Sequence, residues 1–101
     1  YVEPTIESVT AAAAGAVEQL PENTDYRISI VNASGKDTYP IASFTWILLY
    51  QQQRDTTKGK KLVDFLNWAL TEGQQSAASL DYAPLPANLV SALQTRLSSI
   101  Q

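Results

Sequence analysis

Tyr39-Pro40-Ile41-Ala42-Ser43-Phe44-Thr45-Trp46-Ile47-Leu48-Leu49-Tyr50 is the stretch on which the fold turns. From Ile41 onward it is rich in β-branched and aromatic residues and carries no charge, which favours a strand. Ala42, Ser43, Phe44 and Thr45 alternate apolar and polar. From Trp46 the run is apolar on both faces. A strand buried on both faces belongs inside a sheet covered by helices. Phe44, Trp46, Ile47 and Leu48 are therefore expected to be structural residues of such a sheet.

Working upstream, Asn32 to Asp37 has turn composition. Asn32-Ala33-Ser34 also fits the glycosylation tripeptide, but it reads as part of that turn. Tyr26 to Val31 mostly alternates and predicts a second strand. Pro21 to Asp25 reads as a loop. Residues 4–14 predict a helix, with Pro4 in its first turn, Glu3 and Glu7 near its positive end, and Gly15 as its stop. Its apolar stripe, Ile6, Val9 and Ala13, is narrow.

Working downstream, Asp55 or Thr57 is placed to cap a helix running to about Leu70. Leu62, Phe65, Leu66 and Ala69 stand at i, i+3, i+4 and i+7, so they predict its core face. Gly73 ends or bends this helix. Ala83-Pro84-Leu85-Pro86 cannot be regular helix and predicts an extended staple. Pro86 then opens a last helix whose apolar face is Leu89, Val90, Leu93, Leu97 and Ile100. The order is helix, strand, strand, helix, helix. This is an α/β chain with an incomplete sheet, because two strands cannot form a sheet interior. Protein beyond these residues is expected to finish it. The opening Tyr1-Val2-Glu3-Pro4 likewise reads as the interior of something longer.

Composition narrows the function classes. The chain has 101 residues, 45% of them hydrophobic and 17% charged, which favours a folded chain. Its net charge is −3. Nucleic acid is an unsuitable partner, since phosphate contacts need clustered Lys and Arg. The Lys58, Lys60 and Lys61 cluster reads as the solvated start of a helix. There is no Cys and no His, so thiol chemistry and the commonest general base are absent. Without His, neither Ser43 nor Thr45 has an activating base. The Glu3 and Glu7 pair serves a helix terminus. The four glycines at 15, 35, 59 and 73 form no phosphate loop. Trp46 and Trp68 read as core rather than as the lining of a ligand cleft. No catalytic or metal-binding residue, and no cofactor, is expected.

Four blocks carry a resemblance. They are Pro4-Thr5-Ile6-Glu7-Ser8-Val9-Thr10-Ala11-Ala12-Ala13, the Tyr39–Tyr50 stretch, Gly59 to Gln74 with its Leu-Val-Asp-Phe-Leu-Asn-Trp-Ala-Leu core, and Asp81-Tyr82-Ala83-Pro84-Leu85-Pro86. In this order and spacing the chain resembles the last third of the solute-binding proteins of bacterial phosphate ABC transporters (PstS). The resemblance implies a type II periplasmic-binding-protein fold, with two α/β lobes holding phosphate between them. Residues 1–38 would then end one lobe and form the crossover. Residues 39–101 would be the returning strand and the C-terminal helices of the other lobe. The turn at Asp37 to Pro40 would flex between them.

The family's phosphate-binding motifs do not occur here, so no ligand-binding residue is expected in this segment. Arg27, Arg54 and Arg96 read as surface residues. The implied partners are the remaining N-terminal two thirds of the binding protein, in the same or a companion chain, and a membrane permease bound by the parent. The implied location is the periplasm, the cell surface or the secreted fraction. The alternative reading is an interaction or scaffold module that completes a partner chain or self-associates.

Overall fold

The computed structural model describes residues 1–21 and 24–101. Helix α1 is Ile6–Val17, α2 is Thr56–Leu70 and α3 is Ala87–Leu97. Short 3₁₀ turns at Glu72–Ser76 and Ala78–Leu80 link α2 to the staple before α3. The expected loop at Pro21 to Asp25 contains Glu22 and Asn23, which lie outside the described residues.

Helix α1 differs from expectation at both ends. Pro4 lies outside it, one residue before the N-cap Thr5. The helix starts where a side chain can satisfy its free N–H groups. Thr5 Oγ1 accepts from the Ser8 N–H at 3.1 Å, and Ser8 Oγ accepts from the Thr5 N–H at 2.9 Å. That reciprocal pair is a capping box with Ser in place of the usual Glu. Ser8 Oγ also donates to the Glu3 carbonyl at 2.7 Å, and Ser8 is buried. Ser8→Ala is expected to cost about 1–2 kcal/mol, read as a lower urea midpoint with an unchanged slope.

Gly15 does not stop α1, which continues to Val17. Its role is close approach. A Cβ at Gly15 would lie 1.9 Å from the Ser34 carbonyl oxygen. The alanines beside it do the same on a smaller scale. Ala12 and Ala16 are buried with Ile30 and Ala42, and Val9, Ile28, Ala33 and Phe44 pack around them. Small residues on α1 thus let two irregular segments lie against it. Tyr39 N–H donates to the Ser8 carbonyl at 3.0 Å, and Asn32 N–H donates to the Pro40 carbonyl at 2.8 Å, which closes the intervening loop.

The two expected strands are not formed. Among the described residues there is no strand. Residues 26–31 and 41–50 run as irregular chain, anchored at Ile30, Ala42 and Phe44. A strand exists only with a partner, and neither segment finds one here. Tyr26 and Asn32 have φ of 63° and 55°, which further breaks the upstream segment. One trace of pairing survives beyond Tyr50. Gln101 N–H donates to the Gln51 carbonyl at 2.9 Å, and Gln53 N–H donates to the Gln101 carbonyl at 2.7 Å. Bonding to both neighbours of Gln52 is the pattern of a single parallel rung.

The C-terminal half follows its sequence closely. Asp55 caps α2 by accepting from the Lys58 N–H at 3.1 Å. The helix ends before Gly73. Pro86 is the N-cap of α3, whose Leu89 and Leu97 are buried. Helix α3 packs against both α1 and α2.

Candidate functional site

The most distinctive surface is an apolar trough of about 510 Å³. Phe44 to Leu49 form one wall, Leu66, Ala69 and Leu70 of α2 the floor, and Leu85, Leu89, Leu93 and Leu97 the opposite wall. Each side arises locally. The α2 face follows from helical spacing, the α3 face likewise, and the first wall from the uncharged run after Pro40.

The expected structural residues divide across this surface. Leu66 is buried, while Phe44, Leu62 and Ala69 are half-buried. Trp46 and Phe65 are about half exposed, and Ile47 and Leu48 are 70% and 86% exposed. Phe65 stacks on Trp68 at 5.9 Å on a different face of α2 from the trough. Phe44 and Trp46 meet edge to face at 6.5 Å. The Trp46 indole N–H donates to the Tyr26 carbonyl at 2.8 Å, so this wall is pinned at one point to the upstream segment.

The trough has little chemistry of its own. Asp25 and Arg96 are its charged lining residues, and the Asp25 carboxylate accepts from the Arg27 N–H at 3.0 Å and from Arg27 Nε at 2.7 Å. These bonds, the backbone one first, hold the Asp25 carboxyl below its ordinary pKa. The folded value is the lower one, so the small stabilisation is present above the ordinary pKa and fades as pH falls through the folded value. Both groups are exposed, which leaves the pair screened and weak. Among the described residues no group of His, Cys, Asp and Glu could hold a metal ion.

Residues that sequence reasoning passed over hold the trough in shape. Gln74 Nε2 donates to the Ala69 carbonyl at 2.9 Å, and its Oε1 accepts from the Leu85 N–H at 2.7 Å. Thr10 Oγ1 donates to the Pro84 carbonyl at 2.8 Å. The staple is thereby fastened to α2 on one side and to α1 on the other. Thr5-x-x-Ser8 was readable as a capping pattern. Gln74 has no local signature, because its partner lies in a different segment. Gln74→Ala is expected to cost about 1–3 kcal/mol, since it leaves the Leu85 N–H unpaired. Gln74→Glu keeps that acceptor and should lose less. Thermal melts of the two variants check this order.

No family model and no solved structure matches the chain. Curated relatives do. The phosphate-binding protein PstS of Xylella fastidiosa is 35% identical over 99 residues, covering 98% of this chain and 27% of that protein. The PstS of Haemophilus influenzae is 32% identical over 96 residues, covering 95% of this chain and 28% of its own length. A putative serine/threonine-protein kinase/receptor of Acanthamoeba polyphaga mimivirus is 32% identical over 87 residues, which is 84% of this chain and 5% of the viral protein. No helix among the described residues is long and apolar enough to cross a membrane. The chain spans about a quarter of the length of the PstS proteins it matches, and over almost all of its own length it is a PstS-like segment.

Proposed function

We propose that this chain is the part of a phosphate-capturing solute-binding protein, serving an ABC importer, that supplies lobe structure rather than ligand contacts. The carrying observation is its 35% identity to X. fastidiosa PstS across 98% of its residues. The uncovered trough supports the same reading: a segment made for the interior of a larger α/β protein exposes apolar surface when alone. Residues 1–38 end one lobe with its crossover, and residues 39–101 belong to the other. A swing between lobes at Asp37 to Pro40 has to carry or break the Thr38 to Ala33, Tyr39 to Ser8 and Asn32 to Pro40 bonds, and also the Thr10 to Pro84 bond, the packing of α1 on α3 and the contact of Ala42 and Phe44 with Ala12, Ala16 and Ile30. The chain is not an enzyme in this reading. The phosphate ligands come from the rest of the protein, which works outside the cytoplasm beside a permease.

A chimera tests this proposal. The chain replaces the matched 99 residues of X. fastidiosa PstS, and phosphate binding is titrated by calorimetry. Retained binding within about tenfold of the parent supports the reading, since a lobe-building part leaves the ligand shell intact. A folded chimera that no longer binds phosphate contradicts it.

A further inference from the structure

We infer that Thr10 is a positioning residue for phosphate: by fastening α1 to the staple at Pro84 it makes a clasp between the two lobes that is present only when they are closed. This rests on the proposed function, with its division of the chain between residues 38 and 39. It goes beyond that reading in assigning part of the affinity to a side chain that touches no ligand.

The first observation is how the hydrogen bonds across that division are distributed. Tyr39 to Ser8 and Asn32 to Pro40 lie in the turn itself, and Trp46 to Tyr26 follows shortly after it. Such bonds can travel with a hinge. Ala42 and Phe44, which pack on Ala12, Ala16 and Ile30, also stand close behind the turn and form its pivot. Thr10 Oγ1 to the Pro84 carbonyl, at 2.8 Å, is different, because it joins residues 74 apart. Gln74 accepts from the Leu85 N–H and donates to the Ala69 carbonyl, so the staple moves with α2. Thr10 moves with α1. A swing between the lobes must break this bond.

The second observation is that the Thr10 hydroxyl has left its ordinary partner. A helical threonine commonly bonds back to a carbonyl of its own helix. Thr71 and Thr95 do so, to Asn67 at 2.8 Å and to Ser91 at 3.1 Å. Thr10 reaches the staple instead.

The third observation is a seam built to part. Helix α1 packs on α3, yet a crevice of about 370 Å³ lies between Val17, Leu20 and Pro21 on one side and Ala92, Thr95 and Arg96 on the other. A permanent core seldom keeps such a gap. The middle of α1 is alanine, so opening the seam uncovers little apolar surface.

A contact made only in the closed form raises the population of that form, and ligand affinity follows that population. The test uses the chimera with X. fastidiosa PstS. Calorimetry with inorganic phosphate reads affinity, and thermal melts without phosphate read stability. Thr10→Val keeps the shape and removes the donor. It should weaken phosphate binding about 3- to 10-fold and leave the phosphate-free melt unchanged, since the open form lacks the bond. Thr10→Ser keeps a hydroxyl and should restore the affinity. A lower phosphate-free melt for Thr10→Val would show a permanent contact within one lobe and overturn the clasp. Phosphate binding indifferent to Thr10→Val, or a loss that Thr10→Ser does not restore, also overturns it and leaves the proposed function standing. A folded chimera with Thr10 intact that binds no phosphate overturns the proposed function, and the clasp with it.

Discussion

Gly15→Ala is expected to destabilise the chain by about 2–3 kcal/mol, although the same change in an ordinary helix stabilises it by about 1 kcal/mol. The sign is decided by the Ser34 carbonyl, which would stand 1.9 Å from the new methyl carbon. No Cβ tolerates that distance, and the obstacle is main chain rather than the tip of a side chain. Relief requires loop 32–40 to lift from α1. The loop is held there by Tyr39 N–H on the Ser8 carbonyl and by the Gln19 amide on Ser34 Oγ at 3.0 Å. Lifting it also loosens Ile30 and Ala42 from Ala12 and Ala16. Urea denaturation checks the value. A midpoint equal to or above that of the parent would show that the close approach is absent in solution.

Ile30→Ala is expected to cost about 3 kcal/mol, a large share of the roughly 5–15 kcal/mol that holds a domain together. Ile30 is the most enclosed large side chain among the described residues, at 2% exposure. Its buried neighbours Ala12, Ala16 and Ala42 are short, so they cannot close the gap. Ile47→Ala is the contrast. Ile47 is 70% exposed, and its truncation should change stability by less than about 0.5 kcal/mol in this chain. In the chimera with X. fastidiosa PstS the same substitution should cost about 1–3 kcal/mol, because the trough is then covered. Equal, small effects of Ile47→Ala in both settings would mean that the trough stays open in the larger protein.

The helical part of this fold was legible in the sequence because its signals are local. Asp55 is placed to cap α2, Leu66 and Leu89 stand at core spacing, and Pro86 opens α3. Each needs only a few residues of context. The strands were misplaced for the opposite reason. The composition of Ile41 to Tyr50 favours a strand, but a strand also needs a pairing partner, and the described residues supply none. The run therefore keeps strand composition without a ladder. Gly15 shows a different limit. A glycine after four alanines reads as a helix stop, and only the passage of Ser34 reveals it as a contact. Gln74 is equally silent, since one amide serves both the end of α2 and the staple. The PstS resemblance was readable because four separated blocks keep their order, and the match over 98% of the chain bears it out. The trough itself was not readable. It depends on how α2, α3 and the 41–50 run come together in space.

Hydrogen exchange at residues 43–49 tests the central claim most directly. The account predicts that these amides exchange at near free-chain rates in the 101-residue chain, and are slowed about 100-fold or more when the same residues sit in the PstS chimera. Equal protection in both settings would contradict it: the run would then be either paired within this chain or left uncovered in the whole protein.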